Sequence, residues 1–274
     1  WCRECVAARA VEDCHHQIER SQDELPVVEC DYVFLSTDAE GEPTVPVLIA
    51  VSQSTGHVFA TQVLHKGRGD SRAVHLLAQF LVECGLTGRL RLRSDGEPAL
   101  IAVMKWVARL RAPAETIVEQ SPPHSPASVG AADRYSRTVQ ADIRLWKMVV
   151  EEKWSCTVAT SSAILPWIIP YVAWLRNRFH SFTSDHATAY ERLQGHVYRS
   201  TVFQFADVVM IKQNDIAAVG SVDDRWTQGI WLGKSVGTDE HIVGTSAGIR
   251  LGRTCRWLSP QEARPGVFDQ MRFT

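Results

Sequence analysis

The first clear pattern in the chain is the run VVECDYVFL over 27–35, β-branched and aromatic apart from Glu29, Cys30 and Asp31. It predicts a central strand that carries an acid. Strand patterns over 44–53 and 56–64 follow, joined by Ser54-Thr55-Gly56, so an antiparallel meander is expected. Asp70-Ser71 then caps a helix whose apolar residues Val74, Leu77, Ala78, Leu81 and Val82 recur at helical spacing up to a stop at Gly85. A fourth strand over 88–93 delivers Ser94-Asp95-Gly96, and Pro98 opens a second helix running to Leu110. A short strand over 115–119 leads into the polar loop 120–126. From 128 to about Trp154 a long helix shows Val139, Ile143, Trp146 and Val150 along one face.

Strands first, then strands alternating with helices, argue for an α/β fold with a mixed sheet flanked by helices. The apolar stretch 158–175 has about the length of a membrane span, but Pro166 and Pro170, with Thr160, Ser161, Ser162 and the preceding Thr157, make it a buried, proline-broken helical segment instead. In it Trp167, Tyr171 and Trp174 are spaced as core residues. Beyond Gly195 the runs 197–212, 230–234, 242–245 and 254–258 are short and separated by Gly and Asp, the texture of a small β domain.

With 274 residues, at least two units are expected, and 45% hydrophobic against 22% charged residues is the balance of an ordinary soluble protein. A net charge of −2 does not advertise a nucleic-acid binder. Seven cysteines, an odd number scattered over the chain, predict reduced thiols in an intracellular compartment. The opening Trp-Cys-Arg-Glu-Cys lacks the regions of a signal peptide and reads as the middle of something longer.

Three carboxylates converge if the first and fourth strands are neighbours: Asp31 in the first, Asp95 after the fourth, and Asp133 near the start of the long helix. Such oxygens suit Mg2+, and two-metal sites of this kind serve phosphodiester chemistry. A chain with 31 acids yields some triplet by chance, so this alone is weak. Further residues add to it. Asp95 stands in Leu-Arg-Ser-Asp-Gly, and the proline-rich stretch from Ser121 leads to Ala-Asp133-Arg134; 63 residues separate Asp31 from Asp95 and 37 separate Asp95 from Asp133. Thr188-Ala-Tyr-Glu-Arg, Gly229-Ile-Trp-Leu-Gly-Lys and Asp239-Glu-His-Ile-Val follow in order.

In these features the chain resembles retrotransposon (copia/gypsy-like) integrases, of the retroviral integrase superfamily, along nearly its whole length. The resemblance implies a ribonuclease-H-like five-stranded core that processes the 3′ ends of an element's DNA and joins them to target DNA. It implies Mg2+ or Mn2+ on Asp31, Asp95 and Asp133, homo-oligomeric assembly and a nuclear location. Two positions depart from the family pattern. Asp133 stands where Glu is expected, roughly 1.5 Å shorter in reach, and Val129 stands where Asn is usual. A catalytically inactive nucleic-acid-binding relic is therefore the rival reading, and Asp133 also reads simply as an exposed acid favoured by the helix dipole.

Cys2 and Cys5 form half of a zinc-site pattern, 25 residues before Asp31, or are two incidental cysteines. Arg134, Arg137, Arg144 and Lys147 on the long helix are candidates for DNA phosphates, against the alternative of a solvated face. Lys66, Arg68 and Arg72 stand between the same two readings. The expected organisation is a truncated zinc-binding remnant at 1–20, a core at 21–182, a linker at 183–194 and a β domain at 195–274.

Overall fold

The computed structural model describes residues 25–37, 41–121, 130–212, 224–259, 261–262 and 266–273. Strands β1 (Val27–Leu35), β2 (Val45–Ser52) and β3 (Val58–Gln62) form the expected meander. Next come helix α1 (Ser71–Glu83), strand β4 (Leu90–Ser94), helix α2 (Pro98–Leu110) and strand β5 (Thr116–Gln120). The sheet order is β3-β2-β1-β4-β5, antiparallel up to β1 and parallel beyond it. The mixed sheet is thus the one the pattern predicts.

Alternation on β1 sorts the core. Val28, Cys30 and Tyr32 face α1 and α2 together with Leu90 and Leu92 of β4, while Val33 faces the opposite side. The Asp70 carboxylate fixes the entry to α1, accepting from the Ala73 amide at 2.9 Å and the Leu64 amide at 2.8 Å. Ala73 and Phe80 join Val74, Leu77 and Leu81 on the buried face of α1, whereas Val82, assigned to that face by its spacing, is 59% exposed.

On the other side of the sheet lie α3 (Gly130–Trp154) and α4 (Leu165–Phe179). Helix α4 carries Pro166 in its first turn, where no donor is lost, and Pro170 further in on an exposed position. Its Asn177 closes the edge of β3: Oδ1 accepts from the Val58 amide at 2.8 Å and Nδ2 donates to the Val58 carbonyl at 2.7 Å. No described helix is long and apolar enough to cross a membrane.

The stretch expected as a linker contains a short helix, α5 (Ala189–Gln194). Thr188 and Glu191 form a reciprocal capping box around it, so this motif has a local structural reason. A second, antiparallel sheet follows, in the order β10-β6-β7-β8-β9: β6 (Val208–Lys212), β7 (Trp226–Lys234), β8 (His241–Thr245), β9 (Gly248–Gly252) and β10 (Cys255–Trp257), with a short helix α6 (Val267–Gln270) after it. The expected strand over 197–212 is confined to β6, because Phe203 and Phe205 reach the core from irregular backbone. Strand β9 and helix α6 were not expected.

One hydrophobic cluster joins the two sheets. Tyr171 of α4 meets Phe205 at 4.8 Å and Trp231 of β7 at 5.9 Å between ring centroids, and Trp174 meets Trp231 at 6.5 Å. Tyr171 and Trp174 are buried and Trp167 is half-buried, as their spacing predicts.

Candidate acidic site

Strands β1 and β4 run parallel with a constant offset: Val27 lies beside Arg91, Val28 beside Leu92 and Glu29 beside Arg93. Continued by two residues, that offset sets Asp95 level with Asp31. By alternation both acids belong to the face covered by α3, the same face as Val33 and opposite to Leu90 and Leu92. Asp31 is half-buried and Asp95, one residue past the end of β4, is exposed. Asp95 also accepts from the Glu97 amide at 3.1 Å, which turns the chain into α2.

The electrostatics at Asp31 record the meeting. Burial pushes its carboxyl above the ordinary aspartate range, a hydrogen bond from Ser136 opposes this, and the negative fields of Asp95 and Asp133 raise it further. Both other acids are therefore close enough for their charge to be felt.

Helix α3 presents a stripe of Ala132, Ser136, Val139 and Ile143 to the sheet, all buried. Ser136 Oγ donates to Asp31 Oδ2 at 3.1 Å. One turn earlier the Ala132 amide donates to Glu29 Oε2 at 2.9 Å, and Gln53 Nε2 donates to Glu29 Oε1. Glu29 is only 1% exposed, so a buried carboxylate receives the positive end of the helix. Neither Glu29 nor Ser136 was singled out from the sequence. The available signal was positional: Glu29 lies two residues before Asp31 on the same strand face, and Ser136 lies at i+4 from Ala132 on the inward stripe.

Asp133 sits one residue beyond Ala132, about 100° around the helix. Its side chain is 57% exposed and its carboxylate accepts from Arg137 Nη2 at 2.8 Å. The structure thus brings Asp31 and Asp95 to one edge and leaves Asp133 in the neighbouring solvent-facing position. Arg134 and Arg144 are exposed on the same helix, and Arg137 is engaged by Asp133. Lys147 is held by Glu151 at 2.5 Å, and Glu151 also accepts from the Val158 amide at 2.8 Å. Lys66 pairs with Glu97 and lies over the Phe34 ring at 4.4 Å. Cys2, Cys5 and Val129 fall outside the described residues.

The donor chemistry of Asp31 and Asp95 fits a hard divalent ion, and a cation between them would relieve the repulsion that lifts Asp31. Among the described residues, no three His, Cys, Asp or Glu side chains are grouped closely enough to hold an ion. Asp133, drawn to Arg137, does not complete such a group.

No family model and no curated protein matches the chain. The fold is similar to a chain in the cryo-EM structure of the simian T-cell lymphotropic virus intasome in complex with PP2A regulatory subunit B56 gamma, at 14% identity and a TM-score of 0.50, covering 94% of this chain and 88% of that one. The HTLV-2 integrase catalytic core domain in complex with magnesium, in a trimeric form, aligns at 11% identity and a TM-score of 0.42, over 64% of this chain and 99% of that one. The catalytic core domain of BIV integrase aligns at 14% identity and a TM-score of 0.40, over 62% and 93%. The likeness to the first is one of architecture, a helix-flanked mixed five-stranded sheet followed by an antiparallel one.

Proposed function

We propose that this chain is a retroelement integrase of the copia/gypsy-like kind, acting in metal-dependent polynucleotidyl transfer on DNA. The observation that carries the reading is the level placement of Asp31 and Asp95 on adjacent parallel strands, with Asp31 raised by burial and by the charges around it. Asp31 and Asp95 would hold Mg2+ or Mn2+, with Asp133 as the third acid. When bound, such an ion stabilises charge developing on the attacking and leaving oxygens of a phosphodiester. Ser136 holds Asp31 in position by its hydrogen bond, and Glu29 pins the first turn of α3 to β1. Arg134, exposed next to that turn, and Arg144, exposed further along α3, would take DNA phosphates.

The same reading assigns the first sheet and its helices to the catalytic core and the strands after Gly195 to an accessory β unit. Element ends and target DNA are the partners, a homo-oligomer is the working form, and the nucleus is the place of action. A zinc-binding remnant on Cys2 and Cys5 belongs to the proposal in the same way.

One observation favours a second reading, a relic that binds nucleic acid without chemistry: the Asp133 carboxylate is bound to Arg137 instead of facing Asp31. Strand transfer on a short DNA duplex in Mg2+ separates the two. Asp133→Glu is expected to raise the joined product, and Asp95→Asn to abolish it. No joined product from the parent or from Asp133→Glu, with duplex binding intact in both, would establish the relic. Cleavage without any joining would point to a nuclease of the same fold.

A further inference from the structure

Between the β3 edge of the first sheet and strand β7 lies a cavity of about 720 Å³, lined by none of the three acids. Helix α4 sets two donor residues in its wall one turn apart, Trp174 and Arg178, which are 5% and 8% exposed. Among the described residues, neither Trp174 Nε1 nor Arg178 Nε has a hydrogen-bond partner, and Arg178 Nη1 makes one hydrogen bond, to the Trp174 carbonyl at 3.5 Å. The charges of Asp239 and Glu83 act on Arg178 from a distance, and among the described residues no carboxylate forms an ion pair with it.

A buried cation without a counter-ion is costly, so its setting matters. The faces of the guanidinium are covered by rings, with Trp174 at 4.7 Å, Tyr198 at 5.1 Å and Tyr190 at 5.3 Å from its centre. What remains for a ligand is the N–H edge, the part that recognises planar anions. Arg72 and Glu83 also line the cavity, Arg72 exposed and Glu83 accepting from Gln79; the buried neighbours Lys234 and His57 do not compete for an anion. Lys234 is satisfied by the Asp239 carbonyl at 2.9 Å and its carboxylate at 3.3 Å. Burial, and then Arg178, pushes His57 down to about 4, so it is neutral. Of the two buried cations in the wall, Lys234 is paired with Asp239, and Arg178 has no ion pair among the described residues.

We propose that this cavity binds a small molecule in which a planar aromatic ring carries one anionic group, a carboxylate or a phosphate. The anion takes the N–H edge of Arg178 and the indole N–H of Trp174, and the ring packs against Tyr190 and Tyr198. The site is independent of the acidic edge, so it stands or falls separately from the DNA reading.

Calorimetric titration of the whole chain tests it. Thymidine 5′-monophosphate and indole-3-acetate supply the two anion types; thymidine and indole supply the ring alone, and inorganic phosphate the anion alone. At least one ring-bearing anion is expected to bind saturably with Kd below about 1 mM, and which one binds distinguishes phosphate from carboxylate. Ring-only and anion-only probes are expected to bind about tenfold more weakly or worse. Arg178→Met, and Gln79→Trp at the exposed side of the lining, should each weaken the favoured ligand about tenfold or more. Because Gln79 is a surface residue, its variant keeps the test decisive if Arg178→Met fails to fold. No saturable binding by either ring-bearing anion, or affinity unchanged in a folded variant, overturns the proposal.

Discussion

Asp31 is held in its acid-raised condition by the fold, and this has a sign that can be worked out. Its carboxyl sits above the unfolded value, with burial as the largest cause. The folded state therefore binds the proton more tightly. Its ionisation penalty is absent below the unfolded range near 4 and grows as pH rises above it toward the folded value. Asp31→Asn keeps an acceptor for Ser136 and removes the charge. It is expected to raise Tm at neutral pH, with the gain shrinking as pH falls toward the unfolded aspartate range near 4. Thermal unfolding of both proteins from pH 3 to pH 8 reads this directly; a gain that grows toward low pH would contradict it.

At this scale the sequence showed part of the site. The spacing of Asp31 and Asp95 is legible because parallel neighbouring strands with one offset bring them level. For Asp133 the sequence left open a site acid and an exposed helix acid, because one residue of helix is enough to move a side chain from the sheet to the solvent, where Arg137 one turn on takes it as a partner.

Among the elements, α3 depends on a contact far from it in the chain. Its first turn presents amide donors that no helix can satisfy internally, and Glu29 accepts one of them from β1, 103 residues away in sequence. Glu29→Ala leaves the Ala132 amide buried without that carboxylate, at a cost of about 1–3 kcal/mol. Hydrogen exchange at the start of α3 should accelerate while α1 and α2, on the other face, keep their protection. Uniform acceleration across the sheet would show that Glu29 is no local tether.

The first-sheet elements were readable because their burial is one-sided or complete, so alternation and helical spacing survive in the sequence. The second sheet is harder. Strand β9 reads GIRLG and exposes most of its residues, leaving no apolar alternation to detect. Upstream of β6, Phe203 and Phe205 serve the core without belonging to a strand, which extends the apparent strand pattern well beyond its true start.

For the molecule as a whole, the aromatic cluster from Trp146 through Tyr171 and Phe205 to Trp231 decides how it unfolds. Trp231 is fully buried on β7, and besides Phe203 and His241 its ring partners include Tyr171 and Trp174 of α4. Trp231→Ala is expected to destabilise by about 3–5 kcal/mol and to lower the transition of both sheets together. Calorimetry should show one displaced peak; a second peak left at the parent temperature would mean that the sheets unfold independently.

That shared core also fixes a distance. Any rocking of β6–β10 against the first sheet must slide rings that interlock edge-to-face, so the span from the acidic edge to the outer strands behaves as a rigid gauge rather than a hinge. If the chain acts on DNA as proposed, a nucleic-acid strand touching both ends would conform to the protein. The bend it adopts would be set by this spacing, and the work of bending would fall on the strand.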